Sequence, residues 1–362
     1  MPTPRAAVLA HPGGILPVQV RPSRIGGLVT IVLTAVGMAS TCLAARFDVR
    51  TTSHGAAETI DGQPFATFVV DEANKPFLWP VHGPGGVEMT RAFPMRQDAD
   101  EPANQRDHVH QRGIIFGHEH LGADTWTERA TIGDKGDNPR LAVLGAIRHR
   151  RFLELTATDE SGVITSLCEI VDAKDSPKLI EVRRMTFRED RGCRLIDIDQ
   201  DLMAAGADVD VGDRKDAGLS IRVPTAMAVD SKQGGRLVNS EGRTNADAWS
   251  QPARWVDYHG PAKSGSETFG VAMLDHPTSF RHPTRWHVRT YGLFTANPFA
   301  SKAFDKNLPD ASFMLAAGEA IRLRHRFVLH AGDESSADIE GHWKRYAAGE
   351  PAAMPAAEGP SQ

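Results

Sequence analysis

The chain has 362 residues, room for two or three domains of roughly 100–200 residues or for one large all-β domain. Hydrophobic residues make up 41% and charged residues 24%, which excludes disorder, collagen and a multi-span membrane protein. Lys and Arg number 41 against 46 Asp and Glu, a net charge of −5 that argues against a nucleic-acid partner.

The first 45 residues read as a secretory signal rather than as part of a fold. Arg21 and Arg24 precede an uncharged stretch, Ile25 to Leu43, which exits through Cys42-Leu43-Ala44-Ala45. A basic start, an apolar middle and small residues at the exit are the marks of such a segment. No other stretch approaches the roughly 18 apolar residues that a membrane span needs. The expectation is an exported chain, periplasmic or extracellular, that leaves the membrane once residues 1–45 are removed. Cys168 and Cys193 then remain, either joined or as two buried thiols.

From Thr51 to about Gly332 the pattern is short extended runs between turn residues. Arg91, Phe93 and Pro94 come first, with Arg91 able to hold an acid or a substrate oxygen. Four histidines follow within 108–120: His108, His110, His118 and His120. On an extended segment His108 and His110 project to one side, beside Asp107 and Arg112. A short strand from Gly113 to His118 is expected to lead on toward Asp124 and Trp126. Such a pair of imidazoles can hold a divalent metal together with His118. Alternatively, one imidazole can act as general acid or base while Asp107 and Arg112 orient a hydroxylated ligand. The plainest reading makes them buried hydrogen-bonding groups.

Leu153-Glu154-Leu155, Val163 to Val171 and Leu179 to Phe187 are strand candidates. Arg194 to Leu202 sets Ile196, Ile198 and Leu202 against Asp197, Asp199 and Asp201, a period of two with one wet face. The loop Gly212 to Gly218 carries Lys215 and Asp216, placed to overhang a site, ahead of the strand Leu219 to Val223. Gly270 to Leu274 is another strand. A second histidine group, His259, His276, His282 and His287, runs into Arg289 and Tyr291. There His287 and Arg289 share one strand face and Trp286 and Val288 the other. Asn297-Pro298 signals a turn that sets Phe299 into the core.

The clearest strand is Ile321 to Leu329, with Ile321, Leu323, Phe327 and Leu329 opposed to Arg322, Arg324 and Arg326. The spacing of Ile339, Trp343 and Tyr346 predicts one helix, Ala337 to Ala348, capped by Ser335 and stopped by Gly349. Residues 350–362 form a Pro- and Ala-rich tail. Alternating strands without intervening helices belong to antiparallel sheets, so residues 46–349 are expected to form one large all-β antiparallel sandwich.

These motifs together resemble the PmoA-like family, exported bacterial proteins catalogued as "methane oxygenase PmoA". The likeness rests on Arg91 and Pro94, Asp107-His108-Val109-His110-Gln111-Arg112-Gly113, Asp124-Thr125-Trp126 and Lys215-Asp216. It continues through Trp255-Val256-Asp257-Tyr258-His259-Gly260, Asp275-His276-Pro277, Trp286-His287-Val288-Arg289-Thr290-Tyr291-Gly292 and Asn297-Pro298-Phe299. Gln111, Thr125 and Ala217 depart from the family pattern, and Gln111 removes an imidazole that a metal site would use. Methane oxidation does not follow from the catalogue name, because genuine subunits of that name are built of long membrane-spanning helices.

The leading expectation is a carbohydrate-active protein, similar in build to the galactose-mutarotase supersandwich. His108, His110, Asp216 and His287 would move protons, while Arg91, Asp107, Arg112, Trp126, Lys215 and Arg289 bind a sugar or keto-sugar. The alternatives are a metal-dependent cupin-like enzyme using His108, His110 and His118, or a non-catalytic glycan-binding protein. No cofactor is expected unless a divalent metal occupies those histidines.

Overall fold

A computed structural model of the chain describes residues 47–98, 101–133 and 138–356. The expected signal segment and the end of the expected tail lie outside the described residues.

Among the described residues the fold is two eight-stranded antiparallel sheets and a small two-stranded ribbon. In spatial order the first sheet is Phe47–Thr52, Gly55–Ile60, Gln63–Val69, Phe77–Val81, Ile114–His118, Ala217–Arg222, Leu293–Asn297 and Arg285–Val288. The second is Arg236–Asn239, Trp255–Pro261, Thr268–Asp275, Ala320–Ala331, Cys193–Ala204, Pro177–Asp190, Gly162–Val171 and Ala146–Ala157. Their inner faces meet in one core, where Phe65 of the first sheet packs edge-on against Phe187 of the second at 5.3 Å. The all-β sandwich expected from alternation is therefore the observed architecture. Among the described residues, no helix is long and apolar enough to cross a membrane.

Alternation explains how the strands sort their faces. Ile196, Ile198 and Leu202 enter the core, as do Ile321, Leu323, Phe327 and Leu329 from the neighbouring strand. On the outer face the acidic stripe meets the basic one in register: Asp197 opposes Arg326, Asp199 opposes Arg324 and Asp201 opposes Arg322. Opposite charges facing across an antiparallel pair favour that register over its neighbours. Arg326 closes on Asp197 at 2.5 Å and Arg324 on Asp199 at 2.9 Å.

The same parity settles the cysteines. Cys168 faces the core, while Cys193 lies on the outer face beneath the C-terminal helix. Both are free thiols, and burial pushes Cys168 up to about 12.

The helix runs Ile339–Ala348, two residues shorter at its start than predicted. Its cap is Asp338, whose carboxylate accepts from the Gly341 amide, rather than Ser335. The preceding turn is held by Asp333 and Ser336, which bond to each other and delay the first helical residue. Ile339, Trp343 and Tyr346 then cover Leu195, Trp255, Leu274 and Val328.

Candidate functional site

The strand Ile114–His118 lies in the middle of the first sheet and pairs with Ala217–Arg222. Ile114 and Phe116 point into the core, so Ile115 and Gly117 face outward. In register across the neighbouring strands, Ser220, Thr295 and His287 continue that outward row. The long excursions of the chain fold over this face, and they bring most of the expected site residues together.

Arg91 shapes the first excursion. Its side chain is buried, and its guanidinium donates to the carbonyls of Gln105, Asp107, His108 and Gln111 at 3.0–3.3 Å. It is a positioning residue rather than a ligand contact. Gly113 ends this loop at φ +52, where a Cβ would stand 2.1 Å from the Leu78 carbonyl oxygen. His108 is itself held at φ +50, a conformation that non-glycine residues rarely adopt. Its ring stacks on Tyr291 at 5.5 Å, and Tyr291 rests in turn on the Arg222 guanidinium at 4.3 Å.

A continuous row of rings follows. His108 meets His110 at 5.6 Å, His110 meets Trp126 at 6.1 Å, and Trp126 stacks on His287 at 6.5 Å. His287 is edge-on to Trp249 at 4.8 Å, and Arg289 covers Trp249 at 4.2 Å. Asp107 stands 2.7 Å from His108 Nδ1 on the exposed side. Lys215 and Asp216 close the other end, with the Asp216 carboxylate 2.5 Å from Lys215 Nζ and 3.4 Å from His287 Nδ1. Asn297 fixes that loop by donating to the carbonyls of Arg214 and Lys215, while Phe299 locks into the core as the turn signal implied.

Two expected members are placed differently. Arg112 forms a forked pair with Glu128 at 2.9–3.2 Å, behind which Lys75 is fully buried. Two of its nitrogens are committed to Glu128, and its guanidinium lies over the Phe77 ring at 5.7 Å. His118 shares the inward parity of Phe116 and packs edge-on against Phe299 at 4.8 Å. His118 thus points through the sheet, away from His108 and His110. Among the described residues these three do not form a metal-holding group. The proposed cupin-like ligand set fails on strand parity.

Burial governs the protonation of three of these imidazoles, two in the row and one, His118, inside the sandwich. It pushes His110 down to about 2, with Lys75 and His108 adding to the effect. It takes His118 to about 3 and His287 to about 4. His287 Nδ1 donates to the Lys215 carbonyl at 2.8 Å, leaving Nε2 buried and without a hydrogen-bond partner among the described residues.

These depressed values carry a stability signature. The unfolded chain protonates its histidines near about 6.5, whereas the folded state keeps these three neutral. Stability from each is complete above that pH and falls as acid is added, by up to about 1.4 kcal/mol per pH unit. His110→Asn is therefore expected to flatten the decline of urea stability between pH 6.5 and 4.5 by about that slope. An unchanged slope would mean that His110 is not held neutral.

Glu119, too far from His108 and His110 in sequence to serve as a cupin carboxylate, is not among the expected site residues. Its amide donates to the Asp216 carbonyl at 3.1 Å, so strand pairing places the two acids side by side. Burial, followed by the nearby Asp216 charge, raises the Glu119 carboxyl above its usual range. Glu119, His120, Asp210 and Arg214 line two adjoining hollows of about 650 and 670 Å³. Lys215 borders the first and Arg140 the second. Both volumes fall in the range of small-molecule sites.

No curated protein matches this sequence. A family model covers residues 56–344, which include every site residue described on this face. On that match the chain belongs to the family of unknown function DUF6807.

Proposed function

We infer that the protein is an exported carbohydrate-active β-sandwich that takes a sugar or keto-sugar in the hollow beside Glu119 and Asp216. The observation that carries the reading is the acid pair at the end of a ring-lined row. Glu119 is biased toward its protonated form, while Asp216 is held between an ammonium and an imidazole. Two carboxyl groups with divided roles suit proton transfer at a hydroxylated carbon. Trp249 and Tyr291 are half-buried on the same outer face, with Arg289 over the first ring and His108 and Arg222 against the second. Lys215 and Arg289 offer donors to hydroxyls, and His108 is the accessible imidazole, paired with Asp107. Of the motifs that resemble the PmoA-like family, those at 91–94, 107–113, 124–126, 215–216 and 286–292 belong to this side of the molecule, while 255–260 and 275–277 belong to the second sheet.

In this reading Glu119 donates the proton and Asp216 accepts one, with Lys215 orienting Asp216 and His287 fixing the Lys215 backbone. Arg91 and Arg112 hold the walls. The test is a panel of sugars, keto-sugars and oligosaccharides offered to the purified chain, with turnover and thermal midpoint both recorded. At least one ligand is expected to raise the midpoint, as binding to the native state alone requires. Glu119→Gln and Asp216→Asn are each expected to cut turnover about 10²–10⁴-fold while leaving that shift in place. A shift without turnover in the wild type favours the glycan-binding reading. If no sugar gives either signal, both readings fail.

A further inference from the structure

The second sheet carries an unrelated cluster on its outer face, far from the row of rings in strand order. In three adjacent strands His259, Gly270 and His330 stand directly opposite one another. A Cβ at position 270 would lie 2.2 Å from His330 Cε1 and 3.0 Å from His259 Cβ. Only glycine therefore leaves room for the two rings to sit side by side across the middle strand. Asp257, two residues before His259, projects from the same face and is fully buried between them. Its Oδ1 is 2.6 Å from His259 Nδ1 and its Oδ2 is 2.7 Å from His330 Nε2.

Glu334 enters from the turn after the last strand, which is pinned by the Gly332 amide on the Thr268 carbonyl. Its Oε2 lies 3.5 Å from His259 Nδ1 and is buried, with no hydrogen-bond partner among the described residues. A ring nitrogen carries one proton, and here the nearer Asp257 oxygen takes it. That leaves Glu334 Oε2 as a desolvated, unsatisfied acceptor, an expensive arrangement.

We propose that Asp257, His259 and Glu334 form a divalent-metal site, with His330 orienting Asp257 through its other carboxylate oxygen. The three donor atoms lie within 4.8 Å of one another. A divalent cation satisfies all three donors at once, while the Arg236 guanidinium stands 3.6 Å from the other oxygen of Glu334. One imidazole nitrogen and two carboxylate oxygens suit a first-row ion such as Zn²⁺ or Mn²⁺. Bonds of about 2.1 Å set neighbouring ligand atoms about 3–3.5 Å apart, so Asp257 Oδ1 would retreat slightly from His259. A His330 N–H donated to a ligating carboxylate is the usual outer support of such sites. Glu334 is the one ligand on a turn, so the ion would tie the turn before the C-terminal helix to the sheet.

The test uses the whole purified protein, stripped with chelator, dialysed and titrated calorimetrically with zinc chloride or manganese chloride. One equivalent is expected to bind with a rise in thermal midpoint. His259→Ala and Glu334→Gln should each weaken binding at least tenfold and remove the rise, and His330→Ala should weaken it about 10–100-fold. Glu334→Gln keeps the shape of a turn residue, so its far-ultraviolet spectrum should match the wild type. The proposal is overturned by the absence of saturable binding, by binding that survives His259→Ala with Glu334→Gln, or by binding lost on His108→Ala instead. None of these outcomes bears on sugar turnover, which is a property of the other sheet.

Discussion

Replacing Arg91 by alanine is expected to remove about 3–5 kcal/mol of folding stability, the scale for deleting one member of a buried ionic network. Few side chains here are committed to so many partners. The guanidinium satisfies four carbonyls of the 105–111 loop and stands 3.8 Å from both Glu101 and Asp107. Burial, then the neighbouring Arg222 cation, pulls its pKa down to about 9, so the site already bears a desolvation cost that these contacts offset. Deleting the side chain leaves four loop carbonyls without their donor and two acids without their cation. Arg91→Lys should recover only part of the loss, because an ammonium has three donors and lacks the planar fork. Urea melts give the stability, and proteolysis within the 105–111 loop reports whether His108 has been released. A variant within about 1 kcal/mol of wild type would show that the loop holds itself. By contrast, Arg289 is part-exposed and rests on Trp249, so Arg289→Ala should stay within that margin.

That contrast marks what could be read from the sequence. Arg91, Arg112 and Arg289 look alike as letters, and each was a reasonable ligand for a sugar oxygen. Whether a guanidinium faces a cleft or its own backbone depends on loop closure, which local spacing does not encode. Alternation, in contrast, is local. It revealed the strands 194–202 and 321–329, their wet faces and the opposed faces of His287 and Trp286. It could not show that the acidic and basic stripes meet, because strand pairing is a long-range choice. The strands between Phe47 and Val81 carry a weak signal, because segments such as Gly55-Ala56-Ala57-Glu58-Thr59-Ile60 have few large apolar residues to alternate. His118 was grouped with His108 and His110 by proximity in sequence, yet the loop between them ends in a strand whose parity turns His118 inward. Glu119 was reachable only through the pairing of its strand with the one after Asp216. Asp257 and His259 become a cluster only through His330 and Glu334, partners about 70 residues away that local spacing does not encode.

Glu58→Gln is expected to raise stability by about 2–3 kcal/mol at pH 7 and to leave it unchanged at pH 4. Glu58 sits in the strand Gly55–Ile60 and is 1% exposed. Among the described residues neither carboxyl oxygen has a hydrogen-bond partner. Both press against the backbone of Gly162, where a Cβ would come within 2.3 Å of each. Burial first, and the nearby Asp48 charge second, raise the carboxyl from 4.5 to about 8. The folded state therefore keeps a proton that the unfolded chain releases from about pH 4.5 upward. The group costs nothing below that value, and the penalty grows with pH until the folded carboxyl itself ionises near 8. At pH 7 the gap spans about 2.5 pH units at about 1.4 kcal/mol each, the upper limit of the gain. Glutamine has nearly the same shape and no proton to release, so the gain should follow the titration. Paired urea melts at pH 4 and pH 7 separate the two explanations for any change. A gain equal at both values would arise from packing against Gly162. A gain confined to neutral pH would identify a carboxyl kept uncharged inside the sandwich.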